Sequence, residues 1–130
     1  MKNLDSDFLG AVMEVKRTIL TNNVYENTGF TLSSSYEVAD KFFIPSRYEM
    51  GLGYERANTP DGLGVVFDLF NGADAVDMIK YLNNAASYYW LGSCYVGYAC
   101  NVRGVLPSGT LYSYGLAGNT YGAVPACVIG

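Results

Sequence analysis

Residues 43–49 read Phe43-Ile44-Pro45-Ser46-Arg47-Tyr48-Glu49. Lys41-Phe42-Phe43-Ile44-Pro45 predicts a short buried strand closed by the proline, which has no N–H to give a ladder. The next four residues have the pattern of a capping box. The Ser46 hydroxyl accepts from an orphan N–H of the first turn, and Glu49 reaches back to the Ser46 amide. A short helix is expected to start at Ser46 and to stop near Gly51 or Gly53.

Outward from this stretch the same alternation continues. Asp5 or Ser6 can cap a helix, and Phe8, Ala11, Val12 and Val15 recur at helical spacing, which predicts a first helix near 5–15. Arg17-Thr18-Ile19-Leu20-Thr21 is β-rich and ends at Asn22-Asn23. Residues 22–35 read as a loop or short hairpin, and 52–64 as a loop. Val65 to Phe70 is strand or loop. Ala75, Met78, Ile79 and Leu82 share one helical face, which predicts a second helix near 73–83, ended by Asn83-Asn84. The remainder reads as β: Tyr88 to Leu91, Ala99 to Leu106, Thr110 to Tyr114, and a last strand from Gly122 to Ile129. Pro107-Ser108-Gly109 is a turn in which proline presets φ and glycine supplies a positive φ. Pro125 places the final strand at an edge or a bulge. The expected fold is α+β, a single domain over 1–130 with two main helices packed on small antiparallel sheets and many loops.

Composition excludes several functions. The chain has 130 residues and a net charge of −4, with the basic residues scattered apart from Lys16-Arg17. It presents no basic stripe for nucleic acid. No apolar run approaches the roughly 18 residues of a membrane span, and no direct membrane insertion is expected. Met1-Lys2-Asn3-Leu4-Asp5 turns acidic at once, so no signal peptide is visible. Histidine is absent, which removes the commonest general base and metal ligand. No Gly-rich phosphate loop opens a helix. Catalysis and a cofactor are therefore not expected. Asp68, Asp74 and Asp77 could hold a structural calcium ion; the plainer reading makes Asp74 and Asp77 solvated acids of a first helical turn. Cys94 and Cys100 either pair across a loop or stay as free thiols, and Cys127 reads as a small buried hydrophobe.

Residues 81–130 point elsewhere. They contain one charged side chain, Arg103, yet eight of the twelve tyrosines and the only tryptophan, Trp90. Tyrosine offers a rigid ring with a hydroxyl at low entropic cost, and Ser, Gly and Asn add adaptable polar contacts. A hydrophobic β core with polar turns would share part of this bias. Tyr112-Ser113-Tyr114 alternates, which places both tyrosines on one face. Trp90 is assigned to the core; Tyr88 and Tyr89 are left between core and surface.

The ordered set of Phe43-Ile44-Pro45-Ser46-x-x-Glu49, Trp90-Leu91-Gly92-Ser93, Pro107-Ser108-Gly109-Thr110-Leu111 and Gly122-Ala123-Val124-Pro125-Ala126 resembles the C-type-lectin-like fold of the formylglycine-generating-enzyme type. It looks closest to small domains of phages and gut bacteria, which often read Trp-Leu-Arg-Ser-Pro and end in Gly-Val-Arg-Pro-Ala. This chain has Gly92 and Val124 in place of those arginines, and Cys94 in place of the proline. Many proteins of this type are variable proteins of diversity-generating retroelements, in which adenines of selected codons are randomised. Such codons never yield Lys, Glu, Met or Trp. Those first three residue types fill 13 of the first 80 positions here and none of the last 50.

The resemblance implies a variable-type surface within about 88–121 that binds a protein or glycan receptor. Its candidate residues are Gly92, Cys94, Tyr95, Val96, Gly97, Tyr98, Cys100 and Asn101, followed by Tyr112, Tyr114, Leu116, Ala117, Asn119, Thr120 and Tyr121. The implied setting is a virion tail or a bacterial cell surface, where display as a homo-oligomer would raise avidity. Two rivals use the same fold: a fixed-sequence structural or capsid-decoration protein, and a copper-dependent oxidase in which Cys94 and Cys100 follow Gly92-Ser93.

Overall fold

The computed structural model describes residues 5–20, 35–56, 58–95 and 101–130, with Tyr114 described by its backbone alone. Helix α1 is Ser6–Ala11. Among the described residues ten strands follow: β1 (Val12–Met13), β2 (Val15–Leu20), β3 (Ser35–Asp40), β4 (Lys80–Leu82), β5 (Ala85–Ser87), β6 (Tyr89–Cys94), β7 (Asn101–Val105), β8 (Leu111–Leu116), β9 (Gly122–Ala123) and β10 (Val128–Ile129). The protein is therefore mostly β, built from several small sheets, and the expectation of two main helices is overturned. The four-stranded sheet runs β8-β7-β6-β9, and β1-β10, β2-β3 and β4-β5 are pairs.

Each departure from the expected helices has an identifiable cause. Asp5 does cap the first one, its carboxylate accepting from the N–H groups of Asp7 and Phe8 at 2.7 and 3.3 Å. The helix ends after six residues, because Val12 and Met13 pair with Ile129 and Val128. Val12 and Val15, read as a helix face, belong to strands. At the second site, a 3₁₀ turn over Ala75–Met78 is closed by Asp77, whose carboxylate accepts from the Asp74 N–H at 2.9 Å. A hairpin begins two residues later. Asn83 and Asn84 have φ of 52° and 64° between the paired residues Leu82 and Ala85. Two consecutive left-handed residues make the tight turn whose twist matches a β-hairpin, so the Asn-Asn pair joins strands and does not end a helix.

The reading of residues 43–49 holds at the level of hydrogen bonds. Ser46 Oγ accepts from the Glu49 N–H at 3.2 Å, and Glu49 Oε2 accepts from the Ser46 N–H at 2.7 Å. The box closes a single turn and no helix follows, since Gly51 turns the chain at a φ of 71°. The expected strand before it is one bridge, Phe43 to Ala126. The last strand is likewise broken. Its start runs parallel to β6, its middle bridges Phe43 and its end pairs with β1, with Pro125 between.

Glu49 is fully buried and does more than cap. It pairs with Arg17 Nη2 at 2.8 Å and accepts from the Leu63 N–H at 2.7 Å. The Arg17 guanidinium also lies 4.1 Å from the centre of the Phe43 ring. Gly62 passes directly over this carboxylate, where a Cβ would overlap it. Beside the charged pair sits the apolar cluster of Met50, Phe70, Met78, Tyr89, Leu91 and Val105. Tyr89 resolves its one polar atom by donating to the Met78 carbonyl at 2.6 Å. Among the described residues no helix is long and apolar enough to cross a membrane.

Two outcomes follow. Glu49→Ala strands a buried guanidinium and is expected to cost about 3–5 kcal/mol in urea unfolding, while Ser46→Ala costs about 1 kcal/mol. Adding Arg17→Met to Glu49→Ala should recover part of the loss. The second outcome concerns pH. Burial pushes the Tyr89 phenol from 10.0 up to about 12, so the core holds its neutral form. That contribution is complete below about pH 10 and is lost as pH rises through about 12. The urea midpoint should fall across this window, and fall less in Tyr89→Phe.

Candidate functional site

Strand β6 has alternating burial. Tyr89, Leu91 and Ser93 face inward, and Trp90, Gly92 and Cys94 are only half-buried on the opposite face. That period of two also separates the paired tyrosines: Tyr89 is core, whereas Tyr88 is 39% exposed. Trp90, expected in the core, instead forms the base of an aromatic platform. The Tyr121 ring lies on it with centroids 4.5 Å apart. Tyr88 stacks on Tyr121 at 4.9 Å and 16°, and Tyr112 meets Tyr88 edge-on at 5.8 Å. Offset and edge-on contacts of this kind stabilise the rings beyond their area alone.

Three separate elements bring these rings together. Tyr112 comes from β8 and Trp90 from β6. Tyr121 is positioned by the turn after β8, which closes with the Asn119 N–H on the Leu116 carbonyl at 2.9 Å. Asn119 Nδ2 then donates to the Tyr121 hydroxyl at 3.0 Å. The Tyr112 phenol is pushed above its ordinary value by partial burial, and further by Tyr121 and Tyr88. A shallow depression of about 380 Å³ adjoins the rings, lined by Tyr88, Thr120, Tyr121, Pro107 and, from the β4-β5 hairpin, Leu82.

The expected site residues divide. Tyr112 and Tyr121 join the platform, and Leu116, Ala117, Asn119 and Thr120 are exposed around it. Four do not belong to it. Gly92 donates its N–H to the Pro45 carbonyl at 2.8 Å, and a Cβ there would overlap the Ile44 carbonyl oxygen. Asn101 is buried. The Tyr95 ring is covered by the Arg103 guanidinium at 4.1 Å. Cys94 is a half-buried free thiol held above its ordinary value by burial, then by the negative charges of Glu55 and Asp61. Val96, Gly97, Tyr98 and Cys100 lie outside the described residues. The side chain of Tyr114, expected to share a face with Tyr112, lies outside the described residues. The pairing of β7 with β8 slips by one residue between Tyr112 and Gly115. Tyr88, Leu82 and Pro107 were missed. The inward pattern of Tyr89 and Leu91 would have placed Tyr88 and Trp90 outside.

Behind the platform the sheet is tied down by charge. Arg103 makes a two-pronged contact with Glu55, at 2.6 and 2.9 Å, and Arg47 reaches the same carboxylate at 3.3 Å. Ser93 donates to Asp61 at 2.6 Å while accepting from the Arg47 N–H at 2.9 Å. Ser93 of the Trp90-Leu91-Gly92-Ser93 motif and Arg103, the one charge of residues 81–130, are thus internal fasteners. Asp68, Asp74 and Asp77 are exposed, and among the described residues no group of three carboxylates or thiols could hold a metal ion.

A family model described as Domain of unknown function (DUF6273) matches residues 1–130. The chain belongs to this family. No curated protein and no solved structure matches the chain significantly. For this DUF6273 domain the aromatic platform has a built-in reporter, because Trp90 is the only tryptophan. Tyr121→Ala should move the Trp90 emission to longer wavelength and cost about 0.5–1.5 kcal/mol for each ring pair lost. Unchanged emission would refute the contact.

Proposed function

We propose that this DUF6273 domain is a ligand-binding module. Its working surface is the platform of Tyr88, Tyr112 and Tyr121 on Trp90, and its partner is a protein or glycan receptor at a bacterial surface. The observation that carries this reading is the ring cluster itself. Exposed and half-buried tyrosines converge from three elements in a stretch whose single charge, Arg103, is turned inward. Such rings bind through rigid area at low entropic cost, and Asn119 and Thr120 supply adaptable polar groups at the rim. The setting that fits is a phage tail or a displayed cell-surface protein, diversified by a retroelement. Recognition without catalysis is supported by the lack of histidine and by the poorly ionised Cys94 thiol.

A fixed-sequence binding domain is favoured by one observation. Gly92 and Asn101 are packed into the fold, where randomised side chains would collide or leave buried polar groups unpaired. Diversification compatible with the fold is therefore concentrated at Leu116 to Tyr121 and Tyr112. A near-copy of the 3′ end of the gene, differing at adenines of those codons beside a reverse transcriptase, separates the two readings.

The binding test uses fluorescently labelled protein on intact host-range bacteria. Tyr88→Ala and Tyr121→Ala should each weaken binding by about 1–4 kcal/mol, with circular dichroism showing that the fold persists. Equal binding by wild type and both variants sinks the proposal.

A further inference from the structure

A second concavity lies away from the platform's outer face. It is an apolar groove of about 530 Å³ between the 3₁₀ turn at Asp68–Phe70 and the C-terminal segment 124–129. Its floor is the core itself, since Met50, Phe70 and Leu91 line it. The volume lies in the range of small-molecule sites. Leu69 and Ile129 stand at its edges and are 76% and 54% exposed.

Lys80 is the single charged side chain of the lining. Its Nζ lies 5.9 Å from the centre of the Phe70 ring, and it makes no salt bridge among the described residues. An ammonium with no carboxylate partner among the described residues, beside an apolar groove, suits one chemistry: an alkyl chain ending in an anion. A peptide would bring backbone N–H and C=O groups that apolar side chains leave unpaired at a cost. An alkyl chain brings none. We infer that this groove is a binding site for a free fatty-acid carboxylate, with the chain against Met50, Phe70 and Leu91 and the head group on Lys80. The groove shares one residue with the tyrosine platform, since Trp90, on which Tyr121 rests, also lines it.

The test is calorimetric titration of the domain with sodium decanoate below its micellar concentration, with decyltrimethylammonium bromide as the cationic counterpart. Decanoate should bind at least about tenfold tighter than the cation, the effect of a charge-assisted contact. Lys80→Met should abolish that preference and Lys80→Arg should retain it. Methyl NMR signals of Met50 and Ile129 should move on adding decanoate. Equal affinity for anion and cation, an unaltered preference in Lys80→Met, or silent Met50 and Ile129 signals would overturn the inference. So would movement of those signals on protein dilution without decanoate, because a second copy of the chain would then occupy the groove.

Discussion

Everything in this fold meets at the carboxylate of Glu49. It is wholly shielded from water and accepts from Arg17, from the Ser46 N–H and from the Leu63 N–H. Three chain segments that are far apart in sequence are fixed to one another by that single group. A buried ion pair is weak evidence for net stability, since well-packed apolar residues of the same size often do as well or better. Its effect here is on position. A displaced β2 or a shifted 61–63 loop would leave a charge buried without its partner, so alternative packings are penalised heavily. Gly62 is part of the same constraint, because only a residue without a Cβ lets the backbone pass over the carboxylate.

A second set of fasteners carries this order into the sheet that bears the platform. Glu55 gathers Arg47 and Arg103, and Asp61 holds Ser93. Arg103 lies in the middle of β7, at the point where both neighbouring strands change register. Bulges reorient side chains and raise local twist. Its two-pronged contact with Glu55 fixes the strand at that irregular place. The rings of Tyr88, Trp90, Tyr112 and Tyr121 thus rest on a support held by ion pairs, with the exposed residues 116–120 outside the core.

The groove near Lys80 arises from the same economy of secondary structure. The C-terminal segment is not one strand. It makes short pairings with β6, Phe43 and β1 in turn, with Pro125 interrupting them. A segment tethered at separate points bridges the core without filling all the space beneath it. The platform and the groove are therefore two products of short elements held by side chains, one an outward cluster of rings, the other an apolar groove floored by the core.

Patterns that depend on a few neighbouring residues were legible in the sequence. The Ser46–Glu49 box, the Pro107-Ser108-Gly109 turn, the strands around Trp90 and Arg103, and the tyrosine-rich, charge-poor C-terminal part all need only local chemistry. Helical periodicity was the weak guide. Phe8, Ala11, Val12 and Val15 have helix spacing, yet β1 finds its partner more than one hundred residues away, at Val128 and Ile129. Ala75, Met78, Ile79 and Leu82 have it too, but the left-handed Asn83-Asn84 turn makes their end a hairpin. By itself the sequence determined where the chain turns and where charge is absent. Only the tertiary structure decided which tyrosines face outward, that Gly92 and Asn101 serve the interior, and that Arg17 and Arg103 are internal fasteners. Those outcomes rest on long-range strand partners and shared buried counter-charges, which spacing along the chain does not encode.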